Sequence, residues 1–409
     1  MTRIAVIGAG ITGVTSAYTL ARAGYDVTVV DRCRYPAMDT SFANGGQLSA
    51  SNAEVWNNGA TLLKALRWMW TAGAPLLLNP VPGWHKYTWL AAFVANMPRY
   101  RVNTVETVRM AIAARQYLHA MAEEEGIDFD LERRGILHIY PDRRAFEAAK
   151  RVNALLREGG LERHAVTPAE VRSIEPSLRT ACHGGFYTPS DSTGDIHKFT
   201  RGLADACRRR GVKFVMEQEI ARIARDGERF LLMPRTADGS VASDGAFDGL
   251  VVAAGVASRR IAAMLGDHVN VYPVKGYSIT VHLDDDASRQ SAPWVSLLDE
   301  ERKIVTSRLG ADRFRVAGTA EINGENRNIR ADRIAPLVDW VRQHFPDVGT
   351  SRVVPWCGLR PMMPDMMPRV GPGRMPGVFY NTGHGHLGWT LSAATAQILA
   401  AAVAAGLPA

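Results

Sequence analysis

The opening segment, Arg3 to Asp31, constrains the fold of this chain more than any other part of it. Ile4-Ala5-Val6-Ile7 is an apolar run suited to a buried parallel strand, and Gly8, Gly10 and Gly13 follow it with GxGxxG spacing. Val14 to Ala23 reads as a helix closed by Gly24, and Tyr25 to Val30 as a second strand with Asp31 at its tip. Each residue type has a reason. Gly8 permits the sharp turn, Gly10 removes a Cβ that would block a pyrophosphate, and Gly13 lets the helix lie close to the strand. The helix N-terminus offers free N–H groups and the positive end of its dipole to phosphates. Asp31 is placed to accept hydrogen bonds from a ribose, and its charge disfavours a 2′-phosphate there. The segment therefore predicts a strand–helix–strand unit that binds a dinucleotide other than NADP.

At 409 residues the chain suits two intimate domains rather than one small core. A hydrophobic share of 46% with 22% charged residues is that of a globular enzyme. The net charge of +7 fits a solvated basic surface, acidic substrates or an anionic membrane face. Its densest run, Arg208-Arg209-Arg210, falls at the end of a predicted helix, where cations complement the dipole, so nucleic acid is not an expected partner. Cys33, Cys182, Cys207 and Cys357 lack CxxC spacing, which argues against a zinc site or disulfide framework and for a reducing cytoplasm. Met1 leads directly into the first strand without a signal peptide, and no uninterrupted apolar run approaches the ~18 residues of a membrane span.

Downstream, Thr40 to Ser49 is a small, polar loop whose backbone could lie against a planar ligand. Ala60 to Met97 is rich in Leu and Trp, with Lys64, Arg67, His85 and Lys86 interspersed, and Pro75, Pro80 and Pro82 prevent it from being one helix. It reads either as two core helices or as an amphipathic patch on a membrane surface. Thr167-Pro168-Ala169-Glu170 is a well-formed helix start. Gly249 to Gly255 predicts another buried strand, whereas Tyr277 to Leu283 and Phe314 to Val316 suggest an antiparallel sheet. Parallel signals at the start, middle and end, interrupted by β-rich stretches, imply an α/β nucleotide domain made of discontinuous segments with a second, α+β domain inserted. The expected division assigns 1–80, 195–265 and 355–409 to the first domain and 81–194 and 266–354 to the second.

Two later segments carry chemistry. In Val378 to Thr390 a strand runs into Gly383-His384-Gly385-His386-Leu387-Gly388-Trp389-Thr390 and then a helix, whose free N–H groups suit negative charge on a cofactor ring. Its HxH pair lacks further ligands at zinc-site spacing, so no metal is expected. In Cys357-Gly358-Leu359-Arg360-Pro361-Met362-Met363-Pro364 the prolines stiffen the backbone around Arg360, which suits bidentate capture of a carboxylate; a salt-bridged surface arginine is the alternative.

With Thr40 to Ser49, Tyr272-Pro273-Val274-Lys275-Gly276-Tyr277-Ser278 and the Gly358-Leu359-Arg360-Pro361 segment in this order, the whole chain resembles the FAD-dependent D-amino-acid dehydrogenase small-subunit family, within the glycine oxidase and D-amino-acid oxidase group. The resemblance implies a Rossmann-like FAD domain with an inserted antiparallel-sheet substrate domain, and oxidative deamination of D-amino acids. It implies FAD contacts from Gly8, Ala9, Gly10, Ile11, Thr12, Gly13, Asp31, Arg32, Thr40, Ser41, Asn44, Gly45, Gln47, Leu48, Ile220, Ala254 and Gly255, and from Gly383, His384, Gly385, His386, Leu387, Gly388, Trp389 and Thr390. Arg360 would anchor the substrate carboxylate. Tyr277 and His384 are candidates for the substrate side, or packing residues. Electrons would leave through a quinone-type acceptor at the inner membrane, where such proteins are peripheral; an oxygen-using oxidase of glycine, sarcosine or proline-type amines is the alternative. Cys357 lies near the position of a flavin-linking cysteine in distant sarcosine oxidase relatives, so it reads either as a covalent flavin link or as a buried thiol.

Overall fold

A computed structural model describes residues 1–59, 75–235 and 245–407. The opening segment forms the strand Arg3–Ile7, the helix Ile11–Arg22 and the strand Asp26–Val30, with the two strands parallel and Ile4 opposite Val27. Gly8 has φ +116°, and a Cβ there would sit 2.4 Å from the Ala253 carbonyl oxygen. A Cβ on Gly13 would lie 1.8 Å from the Gly8 oxygen, so glycine is what lets helix and strand meet.

Arg3–Ile7 lies inside a six-stranded sheet ordered Arg369–Pro372, Val378–Thr382, Gly249–Val252, Arg3–Ile7, Asp26–Val30, Lys213–Val215. Neighbours are parallel except at the outermost strand, Arg369–Pro372. Alternation along the first strand shows why its apolar run is unbroken: Ile4 and Val6 pack among Val14, Leu203 and Leu399 on one face, while Ala5 and Ile7 pack among Phe230 and Ile261 on the other. Helices Ile11–Arg22, Ile196–Arg209 and Gly388–Gly406 cover the first of these faces. The stretch Gly385–Gly406 is long and apolar enough to cross a membrane by length and composition, although alanines rather than an unbroken run of large residues give it that hydropathy. It serves instead as a core helix, with Leu399 and Val403 fully buried.

The second sheet has nine strands and is mainly antiparallel. Its order is Val353–Met362, Tyr272–His282, Arg313–Ile322, Ile304–Leu309, Ser296–Asp299, Ile136–Tyr140, Gly184–Thr188, His164–Val166, with Leu76–Leu78 beside Arg313–Ile322. Ile279, Val281, Phe314 and Val316 pack with Leu337, Trp340 and Val341 of the helix Ala331–His344. Full burial of a large side chain such as Trp340 contributes about 3 kcal/mol.

The molecule is thus α/β, with the expected parallel nucleotide domain and inserted antiparallel sheet. The expected boundaries need shifting. Residues 76–78 and 353–362 hydrogen-bond into the second sheet. The helix Tyr100–Glu125 sends Leu118, Met121 and Ala122 into the nucleotide-domain core. Periodicity marks these elements but cannot say which sheet receives them. Residues 60–74, the first part of the apolar stretch, lie outside the described residues.

Candidate active site

One cavity of about 1500 Å³ is walled by both sheets. At one end lie Gly8, Gly10, Thr12 and Asp31. The helix Ile11–Arg22 starts from Gly10, which has no side chain to cap it; Ser41 Oγ accepts the Ile11 N–H at 3.0 Å, and the positive end of the helix dipole faces the cavity. A Cβ on Gly10 would meet only Ser41 Oγ, at 3.4 Å; it would fill space that a phosphate needs rather than strike protein. Asp31 is held rigidly: Oδ2 accepts the Ala9 N–H at 2.6 Å and Oδ1 the Cys33 N–H at 2.7 Å, leaving one lone pair on each oxygen for a ribose.

The second sheet grips the Thr40–Ser49 loop through its backbone and polar side chains. Thr40 Oγ1 donates to the Leu359 oxygen at 2.9 Å, Ser278 Oγ to Ala43 at 2.7 Å, Arg315 to Asn44 at 2.9 Å and Ser307 Oγ to Gly45 at 2.7 Å. Further along, the helix Gly388–Gly406 also begins without a side-chain cap. Gln47 Oε1 and Trp389 Nε1, both from wall residues, are buried without a partner. The positive ends of two helices, an open glycine cradle and these orphaned polar atoms fit an extended dinucleotide with a polar ring system. Of the residues expected to touch it, Ala9, Gly13 and Leu48 are not on the wall; Ala9 reaches it only through Asp31, and Leu48 is in the core. Arg32 is on the wall, paired with Asp39 at 3.0 Å.

Arg360 stands on the strand Val353–Met362, where alternation turns Trp356, Gly358 and Arg360 to the cavity and Cys357 and Leu359 away from it. The opposite strand supplies Gly276, paired with Gly358. A Cβ on Gly276 would lie 2.4–2.7 Å from the Arg360 guanidinium, and one on Gly358 would lie 2.2 Å from the Trp356 ring. The two glycines make a flat floor on which these side chains rest. Arg360 Nη1 donates to the Thr319 oxygen at 3.1 Å. Thr319 is at a bulge in its strand with φ +57°, a left-handed conformation rare for a β-branched residue, and this turns its carbonyl toward Arg360. No carboxylate pairs with Arg360 among the described residues; burial alone pulls it down to about 10, still protonated at neutral pH. An unpaired guanidinium with free N–H groups on a cavity wall has the geometry to accept a carboxylate.

Two expected substrate-side residues are placed differently. The Tyr277 side chain lies on the opposite face of its strand from Gly276 and Ser278, buried, with its hydroxyl donating to Glu321 at 2.6 Å. Lys275, fully buried, meets the same carboxylate at 3.2 Å. Tyr277 therefore borders the cavity by its backbone and does not turn its hydroxyl toward Arg360. His384 Nε2 shares a hydrogen bond with Thr395 Oγ1 at 2.9 Å inside the C-terminal helix, and burial holds the ring neutral, down to about 3. Cys357 is also turned away: its thiol, raised by burial, donates to the Arg327 carbonyl. It does not line the cavity, so it is placed as a buried thiol rather than a flavin link.

Residues 3–402 match the family described as FAD dependent oxidoreductase. The chain belongs to the FAD-dependent oxidoreductase family. FAD is therefore the dinucleotide that this cavity accommodates. D-amino acid dehydrogenase 3 of Mesorhizobium japonicum is 62% identical over 410 residues, covering 100% of this chain and 98% of that one. D-amino acid dehydrogenase of Paramagnetospirillum magneticum is 42% identical, covering 97% and 94%. Among solved structures, glycine oxidase from Geobacillus kaustophilus superposes with a TM-score of 0.77 at 21% identity, covering 100% of this chain and 96% of that one, a likeness of fold.

This FAD-dependent oxidoreductase has a second cavity arm that sequence reasoning missed. Glu54, Trp56, Tyr100, Tyr140, Arg163 and Lys303 line it. His386 joins the arms: its ring stacks on Trp56 at 4.5 Å, and its Nε2–H donates to the Asn52 oxygen at 3.2 Å. Trp356 was within reach of sequence reasoning, since it shares strand parity with Arg360. The arm residues were not, because they come from elements far apart in the chain and no local pattern links them.

Proposed function

We propose that this enzyme oxidises D-amino acids to 2-oxo acids and ammonia and passes the electrons to a quinone-type respiratory acceptor. The observation that carries this reading is the unpaired Arg360 guanidinium on the wall of the FAD cavity; the names of the similar proteins support the D-amino acid. When bound, FAD supplies a hydride acceptor at flavin N5. The chain does the positioning. The Arg360 fork takes the substrate carboxylate, and the Gly276–Gly358 floor and the Thr319 carbonyl hold that fork in one place, so Cα is presented in one orientation. No protein base is required at Cα: with the amine deprotonated, its lone pair assists as hydride leaves, and the released imino acid hydrolyses to 2-oxo acid and ammonia. His384, bonded to Thr395, packs the turn that would face the ring system.

Peripheral attachment to the inner membrane is part of the proposal. The helix Trp84–Ala95 and its approach leave Val81 65% and Trp84 84% exposed, with Tyr87 beside them, as an interfacial anchor would. Anaerobic mixing with a panel of D- and L-amino acids, following bleaching of the flavin visible band, tests the reaction. D-amino acids should bleach it, and failure of every one would overturn the proposal. Peroxide formed in proportion to turnover in air would replace the quinone-type acceptor with oxygen.

A further inference from the structure

The second cavity arm holds a carboxyl group that neither the fold nor the reaction above uses. Glu54 follows the loop gripped by the second sheet and lines the same cavity as Arg360. Its Oε1 accepts the Tyr100 hydroxyl at 2.6 Å and a long contact from Asn58 Nδ2 at 3.4 Å. Both donors are neutral. No lysine or arginine pairs with Glu54 among the described residues, whereas three other wall carboxylates are paired: Asp39 with Arg327 at 2.8 Å, Glu219 with Arg260 at 2.8 Å, and Glu300 with Lys303 at 2.6 Å. Burial accordingly raises the Glu54 carboxyl, with Lys303, Glu300 and Arg163 close enough to act on it. Leaving a carboxylate half-buried without a counter-ion is unfavourable unless something completes it.

The geometry of the wall indicates what completes it. His386 stands between the arms and feels the positive charge of both Arg360 and Lys303, and Lys303 in turn acts on Glu54. Arg360 and Glu54 are thus an unpaired cation and an unpaired acid on one continuous wall. We propose that Glu54 is a receptor for a positively charged nitrogen of the substrate whose carboxylate Arg360 holds. Tyr100 acts as a positioning residue: its hydroxyl fixes one carboxylate oxygen and leaves the other for the ligand. The shared chemistry is an ammonium-type cation with two sources: the α-ammonium group of every substrate as it first binds, which loses its proton before hydride leaves, or a distal cation on a basic side chain. Of the two neighbouring cations, Lys303 is held by Glu300, and Arg163 rests on the Phe186 ring at 4.8 Å with a hydrogen bond to Tyr140. Neither is in ion-pair contact with Glu54.

This inference rests on the amino-acid-oxidising reading, and the test separates the two. Wild-type and Glu54→Gln holoenzymes are compared with D-alanine, D-norleucine and D-lysine, and with propionate, an amine-free carboxylate, as competitive inhibitor. Glutamine keeps the shape and can still accept from Tyr100 while removing the charge. A lost charge-assisted hydrogen bond corresponds to a fall in kcat/KM of about 10- to 100-fold, expected mainly as a rise in KM. Equal loss on all three substrates identifies the α-ammonium source. Loss on D-lysine, with D-norleucine unchanged, identifies a distal cation. The propionate Ki and the melting temperature of the variant should stay at wild-type values. An active wild type whose kcat/KM is unaltered by Glu54→Gln on all three substrates overturns the role of Glu54. So does a propionate Ki that rises in parallel, since that marks collapse of the pocket. A wild type that oxidises none of the three overturns the functional reading instead.

Discussion

Arg360 is held in one place without an ionic partner among the described residues. Its guanidinium donates to a carbonyl that a bulge and a left-handed threonine turn toward it, and a floor of two glycines lies beneath it. What counts is geometry: a planar fork held flat, with its remaining N–H groups facing the cavity. Lysine in its place retains the charge and loses the fork. Arg360→Lys should lower kcat/KM for D-alanine by about 100-fold, near 3 kcal/mol, with the fold intact by circular dichroism. Unchanged steady-state kinetics would remove the anchor role. Gly276→Ala attacks the same geometry from below, because its Cβ would enter the space of the guanidinium. Its KM should rise about 10-fold while the FAD content stays at the wild-type level, measured by flavin absorbance.

At the scale of elements, the glycines of the opening turn divide into two kinds that the GxGxxG pattern does not distinguish. Gly13 is a packing glycine, since a Cβ there collides with the Gly8 backbone, while Gly10 has open space beside it, where the proposal puts the phosphate. Gly13→Ala should destabilise the protein by about 3 kcal/mol in urea unfolding. Gly10→Val should fold and purify colourless, with its apoprotein close to the wild-type apoprotein in urea. If Gly10→Val retained full flavin absorbance, the phosphate would have to bind elsewhere. The strand Val353–Met362 teaches a related lesson. Its parity, legible in the residues themselves, places Trp356 with Arg360 and turns Cys357 away; its expected place in the nucleotide domain fails because only hydrogen bonding to Tyr272–His282 decides its sheet.

At the scale of the whole molecule, burial of histidines in the closed interior sets the response to acid. His138 and His384 are 1% and 3% exposed, and burial holds them down to about 4 and about 3. In the unfolded chain they titrate near 6.5, so between that value and the folded ones the unfolded state binds more protons. Stability is therefore full above about pH 6.5 and falls with decreasing pH, by about 1.4 kcal/mol per pH unit for each such histidine once well below 6.5. Urea midpoints at pH 7.5 and pH 5 should differ in that direction, and an equal or higher midpoint at pH 5 would contradict it. The same closure explains the limits of sequence reasoning. The strand–glycine–helix–strand unit and its dinucleotide were legible because the turn, the helix start and the carboxylate of Asp31 at the strand tip are local, set by backbone sterics and by periodicity over a few residues. The placement of Tyr277 and the pairing of Arg360 with a glycine floor were decided by sheet register. The Glu54 arm was decided by the packing of distant elements around one cavity. Contacts between residues far apart in the chain leave no local trace; tertiary structure alone determines which side chains meet and which charges go unpaired.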